Sequence, residues 1–196
     1  MTLYERAENV LECLASNNIG QRPLVFITHS LGGLLAKQIL RTANESSDGD
    51  WKSVANHTRL VAFLATPHTG ASLAGLLKNF AKPFASTHVA ALSNDCGQLD
   101  DLNNSYREIA PANLIKTIAY YEKFKTHNVL LVDHVSANPG VSGTRAIALD
   151  ADHRFVLLDN VEDKGMEQIR SHNFQKLIVE VSEQTNIRTK LSLRHQ

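Results

Sequence analysis

Leu24-Val25-Phe26-Ile27-Thr28-His29-Ser30-Leu31-Gly32-Gly33-Leu34-Leu35-Ala36-Lys37-Gln38-Ile39-Leu40 organises everything around it. Pro23 precedes a run of four apolar residues, the pattern of a strand buried on both faces of a parallel sheet. From Leu34 onward the composition and the period are helical. Ser30 sits at the junction, where the chain must turn sharply for its hydroxyl to stand clear. Small residues are needed two positions before and after such a serine. Gly32 meets that demand, whereas Thr28 is bulkier than the position ordinarily takes. The N-terminus of the following helix favours negative charge near Ser30. The backbone N–H of Leu31 is then the expected donor to an oxyanion.

Reading outward, residues 2–16 repeat Leu3, Ala7, Val10, Leu11 and Leu14 at helical spacing, and Asn17, Asn18 and Gly20 stop that helix. Residues 44–57 are polar and read as a surface excursion. Leu60 to Leu64 is a second buried-strand run, and Thr66-Pro67-His68-Thr69-Gly70 is the loop that leaves it. Residues 72–110 read as irregular and helical. Residues 115–121, 128–132 and 145–149 are strand-like, 150–154 is a loop, and 163–183 is a closing helix. Strands alternating with helices imply an α/β domain with a mostly parallel sheet. Ser30, His68 and His153 all fall in loops leaving the C-terminal ends of strands, the edge where such sheets bind ligands.

The totals remove several classes of function. The chain has 196 residues, enough for one domain spanning 1–196. Lys+Arg and Asp+Glu number 20 each, so no charge excess argues for nucleic acid or an anionic membrane as partner. Arg188, Lys190 and Arg194 read as a solvated end. Cys13 and Cys96 are too few for a disulfide framework, and a cytoplasmic, reducing location is expected. The charged N-terminal stretch does not read as a secretory leader, so none is expected, and no run approaches the roughly 20 apolar residues of a membrane span. The nine histidines show no metal-type spacing, so no metal and no cofactor is expected.

A serine nucleophile needs a general base, and the base needs an acid to orient it. His153, in Leu149-Asp150-Ala151-Asp152-His153, follows the last strand and precedes the closing helix, where a base is required. Two residues compete as the acid: Glu122, after Tyr120-Tyr121, and Asp133, after the run 128–132. His29 and His68 are candidates for the pocket wall, with a loop hydrogen bond the alternative role for the His68 ring.

Four segments carry a family resemblance. Val25 to Lys37 resembles the "HSLGGL..K" elbow of α/β-hydrolases related to serine-active-site-containing proteins and GPI inositol-deacylase-like lipases. Phe63-Leu64-Ala65-Thr66-Pro67-His68-Thr69-Gly70 is similar to the group's "FLGTPH.G", with Ala65 in place of a glycine. Tyr120-Tyr121-Glu122 resembles "FYE". Ser136-Ala137 followed by Leu149 to His153 resembles "SA…LDADH". The resemblance implies an α/β-hydrolase fold, Ser30 as nucleophile, His153 as base, and a tilt toward Glu122 as acid. It implies hydrolysis of a small-molecule or lipid carboxylic ester.

Against the family's pattern, only one helix precedes the elbow strand. The expectation is therefore a partial α/β-hydrolase fold: the C-terminal portion, with N-terminal strands and the second oxyanion donor missing. Residues 24–28 would then form an apolar edge, covered by a homo-oligomer contact or by a missing N-terminal segment. A catalytically impaired fragment or a non-enzymatic interaction domain of the same fold is the alternative reading. Acyl transfer would use the same residues with water excluded.

Overall fold

The computed structural model describes residues 1–80, 96–126, 129–150 and 152–153. The predicted closing helix 163–183 and the cationic tail lie outside them. Helix α1 spans Leu3–Ser16 and begins in a capping box. The Thr2 hydroxyl accepts from the Glu5 N–H at 3.0 Å, and the Glu5 carboxylate accepts from the Thr2 N–H at 2.6 Å. Ala7 and Leu11 bury the apolar stripe of α1 against the main core.

Strand β1 (Leu24–His29) runs into α2 (Leu31–Glu45), then α3 (Gly49–His57) and β2 (Thr58–Leu64). Helices α4 (Gly70–Phe80) and α5 (Cys96–Ala112) follow, then β3 (Lys116–Glu122) and β4 (Ala146–Leu149). The sheet order is β1-β2-β3-β4, and all three pairings are parallel. The register sets His29 beside Leu64, Leu64 beside Tyr120, and Tyr120 beside Ile147. That row is the C-terminal edge of the sheet. Ser30 lies one residue beyond it on β1, and Glu122 two residues beyond it on β3. β2 is the most enclosed strand, with Leu60 to Phe63 fully buried.

Three expectations are corrected. Residues 44–57 are not a mere surface excursion. The Asp48 carboxylate accepts from the N–H groups of Asp50 and Trp51, which starts α3, and Val54 and Ala55 are buried in the core. β1 is not enclosed on both faces, since Val25 is 37% and Ile27 53% exposed; among the described strands it is the edge expected for residues 24–28. The run 128–132 is not a strand. Among its described residues, Val129 makes an isolated antiparallel bridge with Thr126, while the N–H groups of Leu131 and Val132 turn to a side chain.

Candidate active site

Ser30 links β1 to α2 with φ 52° and ψ −128°, a conformation that side-chain-bearing residues rarely adopt. Such a backbone costs about 1–3 kcal/mol and persists only where neighbours hold it. Here the Ser30 N–H donates to the Leu64 carbonyl at 2.9 Å, and the Ser30 carbonyl accepts from the Gly33 N–H at 3.1 Å. The turn is pinned on both sides. Thr28 is accommodated because its hydroxyl donates to the Ala62 carbonyl at 3.0 Å across β2.

The glycine demand falls elsewhere than expected. A Cβ added at Gly32 meets nothing within 4 Å. One added at Gly33 would stand 2.2 Å from the Thr66 hydroxyl and 2.9 Å from the Phe63 ring. Gly33 is therefore the residue that lets α2 approach the exit of β2. Ala65, in the family's glycine position, takes φ 46°, which explains why glycine suits that position.

His153 reaches over the sheet edge. Its Nε2 lies 2.9 Å from Ser30 Oγ, and its Nδ1 lies 2.9 Å from Glu122 Oε2. A carboxylate can only accept, so Nδ1 carries the proton and Nε2 is left to accept from the serine hydroxyl. Glu122 is fully buried, and its other oxygen, Oε1, accepts from the N–H groups of Leu131 at 2.6 Å and Val132 at 2.8 Å. The His153 N–H donates to the buried Thr126 hydroxyl at 3.0 Å. Beneath His153 lies His29, with ring centroids 4.8 Å apart and Nε2 donating to the His153 carbonyl at 3.0 Å. Burial first, and the neighbouring His153 second, lower the His29 pKa to about 4. His29 is thus neutral near pH 7 and supports the loop that carries His153.

The structure brings together Ser30, His153, Glu122 and His29, and sets Leu31 at the head of α2. Asp133 does not join them. It is exposed, and its Oδ1 accepts from the Ser136 N–H at 2.8 Å, which lowers its pKa. It closes a turn instead of orienting the imidazole. His68 bonds through its ring to a side chain of α2. Its ring is buried, and Lys37 Nζ stands 2.8 Å from its Nδ1. Burial, then Lys37 and Arg107, push the His68 pKa well down, so the ring is neutral.

Sequence reasoning missed Thr126, the amides of Leu131 and Val132, and the pairing of Lys37 with Asn103. One signal was available: Lys37 falls on the buried stripe of α2 with Gly33, Leu34 and Leu40, where a lysine is out of place. Among the described residues, no group of three His, Cys, Asp or Glu side chains could hold a metal ion, and no helix is long and apolar enough to cross a membrane.

The comparisons with known proteins agree with this architecture. Among solved structures, the esterase domain of a Rhodothermus marinus protein superposes with a TM-score of 0.51 at 16% identity. The match covers 85% of this chain and 65% of that one. The chain has an α/β-hydrolase fold. A family model described as "Putative serine esterase (DUF676)" matches residues 4–93, which includes the Ser30 turn. Protein SERAC1 of Homo sapiens is 33% identical over 169 residues, covering 83% of this chain and 25% of that protein. Protein SERAC1 of Danio rerio is 30% identical over 158 residues, covering 78% and 23%. The chain thus spans about a quarter of the length of these curated relatives.

Proposed function

We propose that this chain hydrolyses carboxylic esters, with Ser30 as nucleophile, His153 as general base and acid, and Glu122 as the orienting carboxylate. The observation that carries the reading is the continuous chain of hydrogen bonds from Ser30 Oγ through both nitrogens of His153 to Glu122. Similarity to a serine esterase family supports it.

In the first step His153 Nε2 takes the Ser30 proton as Oγ bonds to the ester carbonyl carbon. The carbonyl oxygen becomes an oxyanion at the head of α2, where the Leu31 N–H donates to it. The imidazolium beside the Glu122 carboxylate then returns its proton to the departing alcohol, and the C–O bond breaks. An acyl group remains on Ser30. Water loses a proton to His153 and attacks the acyl carbon, and the carboxylic acid leaves as the proton returns to Ser30 Oγ.

The test is labelling by a fluorophosphonate, which captures an activated serine covalently. The parent chain should label, and Ser30→Ala should not. A folded parent chain that fails to label overturns the proposal.

A further inference from the structure

Lys37 is 1% exposed, and among the described residues its hydrogen-bond partners are neutral. Its Nζ donates to His68 Nδ1 at 2.8 Å and to Asn103 Oδ1 at 2.6 Å, and it lies 5.2 and 5.3 Å from the ring centres of Phe63 and Tyr106. Burying a lysine away from water opposes folding. What this one achieves is to join α2, the loop after β2, and α5. Asn103 closes the triangle by donating from Nδ2 to the His68 carbonyl at 2.8 Å.

The triangle leads onward. The His68 N–H donates to the Ser136 carbonyl at 2.8 Å. The Ser136 N–H donates to Asp133 Oδ1, and the Ala137 N–H to the Asp133 carbonyl at 2.9 Å, so residues 133–137 form a closed turn. Arg107 of α5 supports the far side through Pro139, with Nε 3.2 Å from its carbonyl. The near end of this turn begins with Leu131 and Val132, whose amides hold Glu122 Oε1. Lys37 lies seven residues after Ser30, about two turns along the same helix. One helix therefore carries the serine at its head and the anchor of the carboxylate's clamp on its side.

We propose that Lys37 is a positioning residue that, through His68 and the 131–137 turn, holds the two amides that fix the Glu122 carboxylate against His153. The role rests on the esterase reading for its consequence in catalysis, but the mechanical link can be measured without activity.

The experiment is amide hydrogen exchange on the isotopically labelled chain and its Lys37→Met variant. Losing the buried anchor should speed exchange at Leu131 and Val132 by about tenfold or more, with Leu11 of α1 unchanged as a control for global opening. The proton on His153 Nδ1, which resonates far downfield while bonded to Glu122, should shift or broaden. Fluorophosphonate labelling should slow by about tenfold to a hundredfold, the scale expected for a small misplacement of a reacting group. Unchanged exchange at Leu131 and Val132 overturns the proposal, as does a uniform acceleration that includes α1. If Lys37→Met does not fold, Asn103→Ala removes one corner of the triangle and is read by the same criteria. A parent chain that does not label refutes the esterase reading alone, because the exchange result still decides the link.

Discussion

Glu122→Gln isolates the part played by one carboxylate oxygen. The substitution preserves shape, and the amide carbonyl can still accept from Leu131 and Val132 as Oε1 does now. The amide nitrogen then faces His153 Nδ1, 2.9 Å from the present Oε2. Two N–H groups cannot share that gap, so the imidazole must move its proton to Nε2. Ser30 Oγ would then meet a donor where it needs an acceptor. In a serine protease the corresponding acid-to-amide change lowers kcat by about 10⁴. Four decades amount to about 5 kcal/mol of transition-state stabilisation. The assay is the second-order rate of fluorophosphonate labelling, with thermal melting as a control. Glu122→Gln should melt near the parent, since no buried amide loses its acceptor. Glu122→Ala, by contrast, abandons two buried N–H groups and should lose roughly 2–5 kcal/mol of stability. A Glu122→Gln chain that labels within tenfold of the parent would refute the reasoning, because the acid would then not be setting the tautomer.

Two further outcomes are expected. Gly33→Ala should destabilise the chain by about 1–3 kcal/mol, because its Cβ would overlap Thr66, while Gly32→Ala should be neutral or mildly stabilising. Equal melting shifts for the two would contradict the close approach at Gly33. His29 has a folded pKa of about 4 against an ordinary 6.5, so between those values the unfolded chain binds more protons. Its contribution is complete above pH 6.5 and is lost as pH falls toward 4, by up to about 3 kcal/mol. Urea melts at pH 7 and pH 5 should therefore differ less for His29→Gln than for the parent, and an identical pH dependence would refute the assignment.

Much of the sheet was legible because its strands announce themselves locally. Leu24 to Ile27, Leu60 to Leu64 and Ala146 to Leu149 are short apolar runs bounded by turn or loop residues, the pattern of parallel strands, although only the Leu60 to Leu64 run is buried on both faces. The Ser30 turn was legible because strand, serine and helix follow one another without a gap. Other features depended on where backbone donors go, which side-chain pattern does not encode. Val129 to Val132 has the composition of a strand, yet two of its amides serve Glu122. Without that knowledge Asp133 and Glu122 were each an acid after an apolar run, and only the family resemblance tilted the choice toward Glu122. Helix α3 was hidden because its buried face is short, with Val54 and Ala55 fully enclosed amid polar neighbours. The choice between Gly32 and Gly33 required the position of Thr66, which lies across the fold.

Among the described residues, the strands β1 to β4 stand side by side in the order in which a ribosome makes them. Each new strand can dock on the one before it, without waiting for a later segment to be inserted between them. Ser30 is made directly after β1, whereas the imidazole within reach of it comes four residues after β4. During synthesis the hydroxyl therefore waits without that imidazole until β4 has been made. A nascent chain stopped short of residue 153 holds the bent serine without the His153 imidazole, so the proposed chemistry is withheld until the segment after β4 has been made.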